Sequence, residues 1–243
     1  MGVNHWERAR ADGHLEGAPD VPYREERLVE IRPGFQMACD EFGPETGVPV
    51  LLIMGLGMQM LGWEEGFCAG LAAQGYRVIR FDNRDVGAST RLSGQRVDRW
   101  TLIRASAIGN RGLKVPYLLP DMAQDAIGVM DALGVDAAHV VGCSMGGMIA
   151  QLLAVHHPDR VRSLTSIMST TGSRKLPQPS LRLYGTLLKS TPADDLGGYQ
   201  TRWLENWTAL SGPAHPIDEQ RLRARCRRSF ERGPSPGGFM RQA

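Results

Sequence analysis

The sequence has few of the features that mark membrane, metal-binding or disulfide-rich proteins. Its four cysteines lie far apart and form no C-x-x-C pair. This argues against a zinc site or a small disulfide scaffold, and we expect a reducing, cytoplasmic compartment. The longest apolar run, residues 48–54, is too short to cross a bilayer. Residues 1–10 have no apolar core and do not resemble a signal peptide.

Charge is nearly balanced, with 28 Lys and Arg against 26 Asp and Glu, a formal net charge of +2. A nearly neutral chain lacks the excess of positive charge that is typical of nucleic-acid-binding proteins. No P-loop, H-E-x-x-H, EF-hand or zinc spacing occurs, so the sequence predicts neither a metal nor a cofactor. With 243 residues, of which 42% are hydrophobic and 22% charged, the chain has the composition of an ordinary globular protein.

The order of apolar segments predicts an α/β fold. Residues 1–25 are polar and are interpreted as a flexible arm, and 26–171 as an α/β core. The predicted strands are 27–31, 35–40, 48–54, 77–82, 139–142 and 163–169. The first two form a hairpin with one wet face, and the others alternate with helices, which favours a mostly parallel sheet covered on both faces. Residues 172–243 carry helical patterns at 181–190, 199–210 and 217–230 and are assigned to a lid.

The sharpest motif is the G-x-S-x-G at residues 142–146. It follows a short apolar strand and opens an apolar helix, which is the setting of a nucleophile elbow. Gly142 and Gly146 leave room for a strained turn that would expose the hydroxyl of Ser144. The N–H of Met145, at the start of the helix, would face developing negative charge.

A second glycine loop, Gly55-Leu56-Gly57, follows the first buried strand. In an acyl-transfer enzyme the N–H of Leu56 would join that of Met145 in an oxyanion hole. The alternative is a dinucleotide-binding turn with Asp82 as the ribose-binding acid. Met60 stands where that motif needs its third glycine, which weakens the alternative.

These motifs together resemble the α/β-hydrolase fold family from about residue 26 to the end. Residues 82–89 (DNRDVGAS) are similar to the family's D-x-R-G-x-G-x-S segment, with Asp85 in place of a glycine, and Met54 stands where many members carry histidine. The segment FDNRDVGAST resembles the corresponding segment of a subgroup that contains anthracycline methylesterases and related bacterial serine esterases. The resemblance implies a serine esterase, and also an acid and a histidine after later strands, which the sequence lacks. We therefore expect the last two strands to be missing and the chain to be C-terminally truncated.

No residue is identified as the catalytic acid, and the histidines offer a weak base. His156 and His157 would lie about 18 Å from Ser144 at 1.5 Å per residue, and His139 begins its strand at the far end. His215, in the lid segment, is the only candidate base, and a surface role is the commoner interpretation.

Three other patterns favour structural roles. The adjacent residues Glu64 and Glu65 are better explained as acidic residues at a helix N-terminus than as a pair of catalytic carboxylates. The arginine-rich helix at 217–230 could bind membranes or acidic partners, but a solvated helix with one packed stripe is the commoner interpretation. Trp203 and Trp207, four residues apart, are expected to pack under the lid near an apolar substrate site.

The sequence therefore predicts a serine hydrolase of carboxylic esters that forms an acyl-enzyme through Ser144. Its activity is expected to be impaired without the acid and base. The alternatives are a ligand-binding pseudoenzyme and a fragment of a longer hydrolase. We expect a small-molecule ester substrate, no nucleic-acid partner and no membrane insertion. An exposed apolar edge strand at 163–169 predicts self-association.

Overall fold

A computed structural model of the chain describes residues 18–242. The exceptions are 93, 95–96, 98–114, 174, 177–179, 181–182, 184, 187–188, 190 and 213. Residues 1–17 of the predicted arm lie outside the described residues, as does much of the helix predicted at 181–190.

The N-terminal hairpin is longer than predicted. Strand β1 spans Tyr23–Arg32 and pairs antiparallel with β2, Phe35–Phe42. The first strand thus begins inside the range 1–25 that the sequence assigned to an arm, because Tyr23 and Arg24 pair with residues at the far end of β2. β2 is buried along almost its whole length, since it also pairs with a core strand on its other side. The solvent-exposed face that was expected for the hairpin is therefore confined to β1.

The described residues form a sheet of six strands in the order β1-β2-β4-β3-β5-β6. The four strands after the hairpin are parallel to one another: β3 Val48–Ile53, β4 Tyr76–Phe81, β5 Ala138–Cys143 and β6 Val161–Ile167. The predicted α/β fold class is confirmed. The central strand β3 sends Leu51 and Ile53 into one core and Val50 and Leu52 into another, as a strand buried on both faces must.

Helices cover both faces of this sheet. α1 (Glu65–Ala72) packs on one face, and α2 (Leu119–Ala132) and α3 (Met145–His156) pack on the other. Short 3₁₀ turns at Met60–Gly62 and Pro158–Arg160 precede α1 and follow α3. The alternation of strand and helix brings the carboxyl ends of β3, β4 and β5 to one edge of the sheet.

The lid segment contributes α4 (Leu196–Leu210), α5 (Glu219–Glu231) and α6 (Pro236–Gln242). Asp195 and Asp218 cap α4 and α5 by accepting hydrogen bonds from first-turn N–H groups. A small apolar cluster of Tyr199, Trp203, Leu222 and Cys226 joins α4 to α5. In the described part of the chain, no helix is both long and apolar enough to span a bilayer.

Ion pairs fasten α5 to the core. Glu65 accepts from Arg228 of α5 (3.1 Å) and from Arg80 (3.2 Å), and all three side chains are buried. Glu64 accepts from Arg225 (2.6 Å) and from Arg221 (2.6 Å). The structural interpretation of the two glutamates is thus supported. The expected packed stripe is present at Leu222 and Cys226, but two arginines of the helix are buried as well. Arg225 and Arg228 are buried because each has an acidic partner on the core.

Candidate active site

Ser144 occupies the sharp turn between β5 and α3. Its φ of 54° and ψ of −121° lie outside the regions that most residues adopt. The turn is held from both sides, since the N–H of Ser144 donates to Ile167 O (2.9 Å) and its carbonyl accepts from Ser169 Oγ (2.7 Å). Ser144 is exposed above the sheet edge. Strain at a solvent-accessible nucleophile candidate is the geometry that the sequence predicted for an elbow.

The two elbow glycines are required by close backbone approach. A Cβ on Gly142 would lie 2.2 Å from Gly146 O, and a Cβ on Gly146 would lie 2.1 Å from Ile53 O. Neither contact can be relieved by moving a flexible side chain, because both neighbours are backbone atoms. The glycines therefore let α3 start directly against the end of β3.

The loop after β3, residues 54–59, lies beside the elbow; we call it the oxyanion loop. An ideal Cβ on Gly55 would lie 3.1 Å from Ser144 Cβ and 3.7 Å from its Oγ. Asn83 Nδ2 donates to Met54 O (2.8 Å) and fixes the start of the loop. The glycine loop that was predicted to contribute to the oxyanion hole therefore lies next to Ser144.

The two predicted oxyanion donors, Leu56 and Met145, occupy positions where the N–H group is not used by the hydrogen bonds of the local turn or helix. Met145 is the first residue of α3, where the helix leaves its N–H groups without intrahelical acceptors. Leu56 is the second residue of a turn closed by Met58 N–H and Gly55 O (3.2 Å), which does not use the N–H of Leu56. Their joint action on an oxyanion stays a prediction.

The geometry disfavours the dinucleotide alternative. The Asp82 carboxylate is fully buried and accepts from Met60 N–H (2.7 Å), Ala88 N–H (3.1 Å) and Arg232 (2.6 Å). Those contacts use the oxygens that a ribose would need. Asp82 instead ties the loops after β3 and β4 to the residue that follows α5.

Asp85, which stands where the resembled motif has glycine, adopts φ of 68°. Burial alone would raise the pKa of its carboxyl. Hydrogen bonds from Arg241, from the N–H of Leu92 and from the Tyr117 hydroxyl outweigh burial and hold that pKa below its ordinary value. Asp85 is therefore an ionised anchor beneath the site.

Two described histidines lie at the far ends of the elements that form the elbow. His139 Nδ1 lies 2.7 Å from Ser163 Oγ at the opposite end of β5, and His156 ends α3. His215 is exposed in a turn in which its N–H donates to Gly212 O (3.0 Å). Within the described residues, no side chain is hydrogen-bonded to Ser144 Oγ, so the structure does not bring His215 to it. His5 and His14 lie outside those residues.

A cavity of about 180 Å³ lies between the lid and the core. Its walls include Gly57 of the oxyanion loop, Tyr199 and Trp203 of α4, and Phe239 of α6. Trp207 packs against the lid cluster without lining the cavity, and Ser144 is not among the lining residues. The cavity thus opens beside the oxyanion loop rather than on the serine itself.

Across the described ranges, no group of three or more His, Cys, Asp or Glu side chains is arranged to hold a metal ion. Of the cysteines, Cys143 adjoins the serine, and burial raises the pKa of its thiol. The raised pKa disfavours the reactive thiolate, and the strained, exposed turn position belongs to Ser144 rather than to Cys143.

A six-stranded sheet that is mainly parallel, with an elbow serine after β5 and a glycine loop after β3, defines the class of α/β hydrolases. Residues 48–204 match the α/β hydrolase fold family. The chain belongs to the α/β-hydrolase fold family.

Comparisons with individual proteins agree with this assignment. The chain is 33% identical over 204 residues to rhodomycin D methylesterase DauP of Streptomyces sp. (strain C5), and 31% identical over 204 residues to rhodomycin D methylesterase DnrP of Streptomyces peucetius. Each alignment covers 75% of this chain and 61% of the relative, so the chain spans about 61% of their length. A hydrolase from Pseudomonas aeruginosa PA01 superposes with a TM-score of 0.57 at 24% identity, covering 88% of this chain and 71% of that one. The structural likeness shows the shared fold.

Proposed function

We propose that this protein is a serine hydrolase of carboxylic esters. The observation that carries the proposal is the strained, exposed Ser144 at the start of α3, with Gly55 of the oxyanion loop packed against it. The naming of the similar Streptomyces proteins as methylesterases supports ester chemistry at this site.

In the proposed reaction, Ser144 Oγ attacks the ester carbonyl carbon and loses its proton. The carbonyl oxygen becomes an oxyanion that accepts hydrogen bonds from Leu56 N–H and Met145 N–H. The bond to the alcohol then breaks, the alcohol leaves with a proton, and water hydrolyses the acyl-enzyme. His215 remains the candidate for carrying the proton between these steps, and its exposed turn would have to close over the serine.

For the substrate we propose a small alkyl ester of a larger apolar compound. The aromatic walls at Tyr199, Trp203 and Phe239 suit a flat apolar group. The Streptomyces relatives, by their names, act on the methyl ester of rhodomycin D, which is consistent with this class.

The test is hydrolysis of p-nitrophenyl acetate and butyrate by the 243-residue chain and by Ser144→Ala. Ser163→Ala is the matched control, because it removes an exposed hydroxyl that is paired with a histidine at the far end of the sheet. The proposal expects turnover that Ser144→Ala abolishes and Ser163→Ala retains. Equal rates for the unmodified chain and Ser144→Ala would overturn it.

The second candidate is a non-catalytic ligand-binding protein built on the same fold. The cavity beside the oxyanion loop has aromatic side chains in its walls but does not include Ser144, and this separation favours the second candidate. Saturable binding of an apolar ester or acid, with equal affinity in Ser144→Ala and no turnover, would support it. Trp203→Ala should then weaken binding, which fluorescence titration would measure.

A further inference from the structure

The side chain of Gln242 bridges the loop after β3 and the loop after β4. Its Oε1 accepts from Gly57 N–H at 2.8 Å, and its Nε2 donates to Arg84 O at 2.7 Å. The residue is 9% exposed, so both bonds are shielded from water. Reversing the amide would set donor against donor and acceptor against acceptor, and hence the two partners fix its orientation.

The bonded N–H belongs to the central peptide of the oxyanion-loop turn. Met58 N–H and Gly55 O close that turn, and Gly57, its third residue, has φ of 66°. Turn types with a positive φ at this position differ from the commonest type in the orientation of the central peptide. Gln242 Oε1 therefore holds the peptide in the orientation that the observed turn requires.

Helix α6 delivers Gln242 to this position with little freedom. Arg241 donates to both carboxylate oxygens of Asp85, at 2.8 and 2.6 Å. The ring of Phe239 lies so close to Gly57 that a Cβ there would come within 2.5 Å of it. Because these contacts hold α6 in place, the backbone of Gln242 is already ordered where its amide meets the loop, and only its side-chain rotamers remain to be fixed.

We propose that Gln242 is a positioning residue for the oxyanion loop, acting through Gly57 to fix the N–H of Leu56. The catalytic part of this proposal depends on the proposed esterase function, whereas the bond to the turn does not. No other side chain of the described residues is hydrogen-bonded to the central peptide of that turn.

The direct test is amide hydrogen exchange of the full chain, resolved at single residues by NMR. Gln242→Met keeps the approximate length but removes both hydrogen bonds, and Gln242→Glu keeps an acceptor for Gly57. The control is Gln200→Met, which breaks a side-chain bond to Arg223 O within the lid. We expect Gly57 to exchange at least about tenfold faster in Gln242→Met. The amides of β3 should be unchanged, Gln242→Glu should retain part of the protection, and Gln200→Met should behave like the unmodified chain.

Two results would overturn the proposal: unchanged exchange at Gly57 in Gln242→Met, or equal acceleration of Gly57 and β3. The second result would mean that Gln242 only contributes to overall stability.

A separate readout addresses the reaction. Inactivation by a fluorophosphonate is followed by the mass of the intact protein. The dependence of the inactivation rate on reagent concentration gives the maximal rate of labelling at Ser144 and the affinity of the reversible complex that precedes labelling. Mispositioning one oxyanion donor should lower the maximal rate of Gln242→Met by about tenfold, part of the ~10²- to 10³-fold loss expected for a missing donor. Its reversible affinity should change little. An unmodified chain that is not labelled at Ser144 would contradict the proposed function, while the exchange data would still decide whether Gln242 holds the turn. Labelling at the unmodified rate in Gln242→Met would reject the positioning role in catalysis.

Discussion

Arg241 forms a bidentate ion pair with Asp85, which itself adopts a left-handed backbone conformation. The guanidinium donates to both carboxylate oxygens, and φ of Asp85 is 68°. Aspartate is among the few non-glycine residues that tolerate this region. The residue at this position therefore keeps the turn that glycine would give and adds a carboxylate that anchors α6.

Substitution of Asp85 should separate these two contributions. Asp85→Ala loses the ion pair and places a Cβ without local polar compensation at a positive φ. Asp85→Gly loses the same carboxylate contacts, to Arg241, Leu92 and Tyr117, but glycine adopts the positive φ without strain. We expect both to destabilise the fold, with Asp85→Ala worse by about 1–2 kcal/mol, as measured by urea unfolding. Equal stability of the two variants would contradict the argument from backbone conformation.

The elbow glycines should be far less replaceable than a glycine in open surroundings. In Gly146→Ala the new Cβ would meet Ile53 O at 2.1 Å, so the start of α3 must move. The control is Gly70→Ala within α1, where no atom beyond the local helix backbone lies within 4 Å of the added Cβ. We expect Gly70→Ala to stabilise by up to about 1 kcal/mol and Gly146→Ala to lower the melting temperature sharply. A small effect of Gly146→Ala would show that the elbow is not tightly packed.

Much of the framework follows from local sequence pattern, but the contacts that brace the loops around the serine do not. The apolar run at β3 and the glycines around Ser144 predict strand, turn and helix, because these signals lie within a few residues of one another. The bond between Gly57 and Gln242 spans 185 positions, and no local periodicity encodes it. The pairing of Glu65 with Arg228 spans 163 positions, so the sequence pattern predicted the packed stripe of α5 but not the burial of its arginines.

Acid should destabilise the protein through Glu41, a fully buried carboxyl. Burial would raise its pKa, but hydrogen bonds from Arg77, Arg27 and Arg24 outweigh it and lower the pKa from 4.5 to about 2. A group with a lowered folded pKa stabilises the fold above its unfolded pKa. This contribution, on the order of 3 kcal/mol, is therefore complete above about pH 4.5 and is lost as the pH falls towards 2.

The comparison of Glu41→Gln with the unmodified chain measures that contribution. We expect the free energy of unfolding to differ most near neutral pH and to converge between pH 4.5 and 2. Glu219→Gln is the control, since this carboxyl is 55% exposed and pairs with Arg223 along the helix surface. Its effect should stay below about 0.5 kcal/mol. Parallel pH curves for Glu41→Gln and the unmodified chain would refute the assignment.

Among the described strands, β6 lies at one edge of the sheet, and we propose that the chain self-associates through it. It pairs only with β5 among the described strands, and most of its residues are exposed on both faces. Leu164 on this strand is 39% exposed, and Met168 just beyond it is 71% exposed. An unpaired apolar edge can add a strand from a second copy.

Sedimentation equilibrium should then show association that rises with protein concentration. Leu164→Lys should weaken it by at least about tenfold, because a charge at a strand–strand contact must be desolvated. Leu28→Lys places the same charge on β1 at the opposite edge, where Leu28 is 51% exposed, and should leave association unchanged. A chain that stays monomeric at all concentrations, or one that responds equally to both substitutions, would exclude β6 as the contact.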